Sequence, residues 1–135
     1  MDLGLAGKTM VVTGATANIG RAIALEAAKE GVNLIAVGRD KEAGGRVVAE
    51  AKKLGAKDAI FVAVDLLDKN AGNTIRQAAA KAFGSVDVLV NNVGGNFAVG
   101  AFAESDPELW IKDVDITFFS MLRVTHAILP DMIAR

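Results

Sequence analysis

The stretch "TGATANIG", Thr13–Gly20, decides how this chain of 135 residues is read. It has the spacing of a loop that bends around a phosphate, with Asn18 where a second glycine is expected. Thr13 closes an apolar, β-branched run, "TMVVT" (9–13), and Ile19 opens a segment of helical period. Backbone N–H groups and the positive end of a helix therefore converge on the loop, which favours an anion. Gly14 permits a tight turn, and Gly20, lacking a side chain, lets the helix start or a ligand come close. Asparagine tolerates positive φ better than most L-residues, which lose about 1–2 kcal/mol there. Two glycines in a strand-to-helix turn can also be purely structural. Their position after the first strand of a βα series is what points to a phosphate.

Working outward, three further apolar runs follow: "VNLIAV" (32–37), "AIFVAV" (59–64) and "VDVLV" (86–90). Their apolar content is nearly continuous, as a parallel sheet covered on both faces requires. Segments of helical period separate them. Ile19, Ile23 and Ala27 lead to Gly31; Ala43, Val47, Ala51 and Leu54 lead to Gly55; Ala71, Ile75, Ala79 and Ala82 lead to Gly84. Each glycine is placed to end a helix. The order strand, helix, strand, helix, strand, helix, strand predicts an α/β, doubly wound parallel sheet of Rossmann type, with four strands and their helices in one domain, 1–135. "NNVGGNFAVG" (91–100) reads as a loop at the carboxyl end of the fourth strand, where such folds place ligands. In "SDPELW", Asp106 is placed as an N-cap and Pro107 at the first helical position. A long apolar-patterned segment runs from about Ile111 to Ile133, interrupted late by Pro130.

Composition narrows the function classes. Hydrophobic residues make up 52% and the mean hydropathy is +0.35, yet no apolar run approaches the ~20 residues of a membrane span. Fifteen basic and 16 acidic residues leave a net charge of -1, with no electrostatic footprint for nucleic acid or an anionic membrane. There is no cysteine and one histidine, so thiolate and histidine metal sites are not expected and a reducing cytoplasm fits. His126 reads as a surface or packing residue, Trp110 as a core or interface residue, and Asp87 as a strand-edge or capping group.

The ordered set "LAGKTMVVTGATANIG", "VAVD" (62–65), "GSVDVLVNNVG" (84–94) and Trp110 through "THAILPDM" (125–132) resembles the amino-terminal half of a short-chain dehydrogenase/reductase. The resemblance implies an NAD(P) site. Gly14, Thr16, Asn18, Ile19 and Gly20 would surround the pyrophosphate and the nicotinamide-side ribose. In "VGRD" (37–40) a glycine stands where NAD-preferring relatives place a carboxylate, and Arg39 follows, which is similar to NADP-preferring members. Arg39 would pair with the 2′-phosphate; its alternative is a solvated arginine beside an Asp40 N-cap. Asp65 and the Leu66 backbone would meet the adenine, with a helix N-cap as a compatible second use of Asp65. Asn91, Asn92 and Gly94 match the residues that run beside the adenosine ribose and tie strands together. Val93 replaces the usual alanine.

The family's reaction is hydride transfer between nicotinamide and a carbonyl or alcohol carbon, with a tyrosine as general acid/base, a lysine, a serine and an asparagine in support. Thr117 occupies the asparagine position. The sequence has no tyrosine, and Ser85, Ser105 and Ser120 all precede the place of the family's serine. The resemblance therefore implies a chain truncated before the family's catalytic half: a part of an NADP(H)- or NAD(H)-dependent oxidoreductase, or else a nucleotide-binding module or relic without catalysis. Homo-oligomers are implied by the same resemblance, and an unpaired fourth strand adds an expectation of association.

Overall fold

In the computed structural model, which describes residues 1–135, the first strand, β1 (Thr9–Thr13), is buried at every position. Alternate residues of an extended chain point to opposite faces, so burial on both sides demands apolar residues throughout. Met10 and Val12 enter one core with Ala24, Leu34, Ala36, Val47 and Ala51. Val11 enters the other with Ile35, Val37, Ile75, Val124 and Ile128.

After β1 come α1 (Asn18–Lys29), β2 (Asn33–Gly38), α2 (Lys41–Leu54), β3 (Asp58–Ala63), α3 (Ala71–Phe83) and β4 (Val88–Val90). All pairings are parallel and the strand order is β3-β2-β1-β4. The α1 and α2 helices cover one face; α3 and the last helix, α5 (Ser120–Ile133), cover the other. The doubly wound parallel sheet stands. Because the chain returns from β3 to the far side of β1, the order reverses between β1 and β4, and the crevice at their carboxyl ends is the switch point where such sheets bind ligands.

Several boundaries differ from the sequence reading by one or two residues, the commonest displacement at element ends. More informative is Ile19, which is 70% exposed, so the buried residues of α1 are Gly20, Ala24, Leu25, Ala27 and Ala28. Ala82 and Leu54 also face solvent, at the last turns of their helices. Asp106 does cap α4 (Pro107–Val114), accepting from the Glu108 N–H at 2.9 Å, and Asp40 caps α2. The long segment is helical throughout but not uniform: α4 passes into a π-helical turn, Asp115–Phe119, and then into α5. Pro130 lies inside α5 without breaking it, since it falls in the last turn, where the Ala134 N–H closes onto the Pro130 carbonyl.

Candidate cofactor-binding site

The loop from β1 to α1 is built by backbone constraints. Gly14 has φ 66°, and Asn18, at φ 49°, is the only non-glycine residue with positive φ. The Ala15 N–H donates to the Val37 carbonyl at 3.0 Å, hooking the loop to the end of β2. Ala17 sits at the N-cap of α1 and offers no side-chain acceptor, so the first-turn N–H groups stay open at the crevice. A Cβ at Gly20 would lie 2.0 Å from the Gly14 carbonyl oxygen and 2.4 Å from Asn92 Nδ2. Gly20 is thus demanded by the loop's own backbone.

Asn92 braces this loop from the other side of the switch point. Its side chain donates to the Gly14 carbonyl (3.3 Å) and its N–H donates to Thr13 Oγ1 (3.0 Å), while the Thr13 hydroxyl donates to the Val90 carbonyl (3.3 Å). The Asn91 side chain donates to Thr125 Oγ1 at 3.0 Å, tying the end of β4 to α5. Both asparagine side chains are engaged within the protein.

The crevice is a cleft of about 550 Å³ that brings together the predicted Gly14, Thr16, Asn18, Ile19, Arg39, Asp65, Leu66, Asn92 and Gly94. Gly20 lies behind it, buried against Gly14. Arg39 is exposed at the end of β2. Beside it, a Cβ at Gly38 would come 2.7 Å from the Thr16 methyl and 3.5 Å from the Phe61 ring. A larger side chain has no room there unless Thr16 moves. Asp65 is exposed, and its Oδ1 accepts from the Leu67 N–H at 2.9 Å. It caps a turn and not a helix: α3 begins six residues later, after Asn70.

The opposite wall is the loop after β4, held to the helix beneath it. Thr117 Oγ1 accepts from the Gly95 N–H at 3.1 Å and lies 3.3 Å from the Gly95 carbonyl. Asp113 Oδ2 accepts from the Ala98 N–H at 3.2 Å and its other oxygen accepts from the Phe97 N–H. Further along, Phe102 and Trp110 stack at 4.7 Å, and the indole N–H donates to Ser105 Oγ at 2.7 Å. The sequence reading singled out neither Asp113 nor Ile116, which also lines the cleft. Ile116 carried a signal, its place one residue before Thr117 in an apolar pattern; an aspartate contacting a loop fifteen residues back carried none. A Cβ at Gly94 would lie 3.8 Å from the Thr117 side chain, an ordinary van der Waals contact, so the protein packing there leaves room for a methyl group.

Asp87 and His126 lie away from the cleft. Asp87 is at the opposite end of β4, accepting from the Thr9 N–H at 2.8 Å and pairing with Arg135. His126 is on the exposed side of α5. No group of three or more His, Cys, Asp or Glu side chains is placed to hold a metal ion, and no helix is long and apolar enough to cross a membrane.

Comparison with known proteins then decides the family, because the short-chain dehydrogenase model matches residues 8–135. The chain belongs to the short-chain dehydrogenase family. A 3beta-hydroxysteroid dehydrogenase of Mediterraneibacter gnavus is 40% identical over 108 residues, 80% of this chain and 39% of its own. The L-sorbose reductase of Gluconobacter frateurii, solved with NADPH and L-sorbose, superposes with a TM-score of 0.92 at 30% identity, over 100% of this chain and 51% of that one. A short-chain dehydrogenase/reductase from Burkholderia phymatum, solved with NAD, gives 0.88 at 30% identity over 96% and 46% of the two chains. The chain thus spans between 39% and 51% of the length of these three proteins.

Proposed function

We propose that residues 1–135 form the dinucleotide-binding half of an oxidoreductase that moves a hydride between a nicotinamide cofactor and a carbonyl or alcohol substrate, with NADP(H) preferred over NAD(H). The observation that carries this reading is the uncapped start of α1, placed at the switch point and opening onto the cleft that Ala17, Asn18 and Ile19 line. Gly14, Thr16, Asn18, Ile19 and Gly20 form the pyrophosphate side, Asp65 and Leu66 the adenine side, and Asn92 and Gly94 the ribose side. The hydride chemistry belongs to the cofactor; the protein binds and orients it.

The preference for the phosphorylated cofactor rests on one corner. The close approach of the Thr16 methyl to position 38 disfavours a carboxylate there, and Arg39 supplies a charge-assisted partner for a 2′-phosphate. Thr117 stands at the family's asparagine position with its hydroxyl committed to Gly95, and the sequence holds no tyrosine. These residues alone are therefore proposed to bind cofactor without turnover, which also favours a second reading, a nucleotide-binding module. A cytoplasmic setting and self-association belong to the same proposal.

Titration of the chain with NADPH and NADH by calorimetry tests it. NADPH is expected to bind about tenfold or more tightly, as one charge-assisted contact of roughly 1.5–3 kcal/mol implies. Arg39→Ala should remove that preference and leave NADH unaffected. Equal affinity for the two would overturn the preference, and binding of neither would overturn the site.

A further inference from the structure

We propose that Arg123, on α5 and outside the cleft, is a positioning residue for the adenine end of this site, acting through the Leu66–Leu67 peptide on the aim of the Asp65 carboxylate. The inference rests on the dinucleotide reading given above. One arm of the guanidinium, Nη2, donates to the Leu66 carbonyl at 2.9 Å; the other, Nη1, donates to Asp115 Oδ1 at 2.7 Å. Arg123 is three-quarters buried, at 23% side-chain exposure, and its Nε has no partner. A charge so placed depends on the contacts it does make, and only two are made.

Those two contacts reach different elements. Asp115 opens the π-helical turn that carries Ile116 and Thr117, while Leu66 belongs to the segment after β3. The peptide bond between Leu66 and Leu67 is planar, so fixing its carbonyl fixes the direction of its N–H. That N–H, on Leu67, donates to Asp65 Oδ1 at 2.9 Å. Arg123 therefore holds one end of a peptide plane whose other end holds Asp65. With Oδ1 engaged, the remaining carboxylate oxygen is the one left to accept from an exocyclic amino group on a base in the cleft. Loss of Arg123 frees the plane to turn and releases Asp65 from its set orientation.

The experiment compares NADPH with its hypoxanthine analogue, deamino-NADPH, which presents an oxygen in place of the adenine amino group. The chain should prefer NADPH by about tenfold, the value of one hydrogen bond to a charged group. Arg123→Met should bring the two ligands to within about twofold, with Arg123→Lys between, whereas a loss of general stability weakens both ligands alike and leaves their ratio unchanged. Asp115→Asn, which keeps the guanidinium but weakens its second anchor, should reduce the ratio in part and serves if Arg123→Met does not fold. A ratio that stays at the unsubstituted value in these folded variants overturns the proposal, as does an unsubstituted chain that binds NADPH but does not discriminate. A chain that binds neither ligand overturns the dinucleotide reading itself, a separate outcome.

Discussion

A single methyl group at position 20 has nowhere to go. It would stand 2.0 Å from a backbone oxygen, which cannot swing aside as a side chain can. Gly20→Ala should therefore cost at least the 1–3 kcal/mol typical of about one overpacked methyl and abolish cofactor binding, read by urea denaturation and NADPH titration. Glycine at this position was legible in the sequence, but its reason was not: the spacing pointed to a ligand or a helix start, and the structure supplies Gly14 and Asn92 as the groups in contact. The same limit applies to Thr117. Its place in the long apolar-patterned segment was legible, yet the hydroxyl's engagement with Gly95, 22 residues earlier, depends on how the loop after β4 folds back. Asn18 was read for its tolerance of positive φ and adopts it.

At the scale of elements, β1 and β4 are locked at their amino ends by a reciprocal pair of hydrogen bonds. The Thr9 N–H donates to the Asp87 carboxylate, and the Asp87 N–H donates to the Thr9 carbonyl at 2.9 Å. The first of these holds the Asp87 carboxyl below the ordinary aspartate range; burial pulls the other way, and Arg135 adds to the lowering. A carboxyl lowered in the folded state is more readily protonated in the unfolded one. Its contribution is full above the unfolded value of about 4 and is lost as pH falls through the lower folded value. Asp87→Ala should cost about 1–3 kcal/mol, since Thr9 is buried and loses its acceptor, and should leave NADPH affinity unchanged. Asp87→Asn should flatten the loss of stability that sets in as pH falls below about 4, read in urea titrations. Helices and strands were legible because apolar period distinguishes them. The π-helical turn was not, because one inserted residue in a helix leaves the apolar pattern nearly intact.

At the scale of the whole molecule, four nearly continuous apolar strands announced a sheet covered twice, and the two cores are divided as that pattern requires. In the chain of 135 residues taken alone, the outer edge of β4 has no strand partner. Phe118, Phe119, Leu122 and Leu129 are each at least 41% exposed along the π-helical turn and α5. An open edge and an apolar helical face both favour association. Sedimentation velocity of this chain should show mass that grows with concentration; a single monomer species at all concentrations would refute it. The indole stacked on Phe102 has a consequence of another kind. With one tryptophan and no tyrosine in the sequence, near-ultraviolet excitation selects a single emitter, fixed where the segment beyond the cleft's wall meets the start of α4. The molecule thus carries an intrinsic optical label, and a kinetic trace of its emission reports on that one seam without any dye.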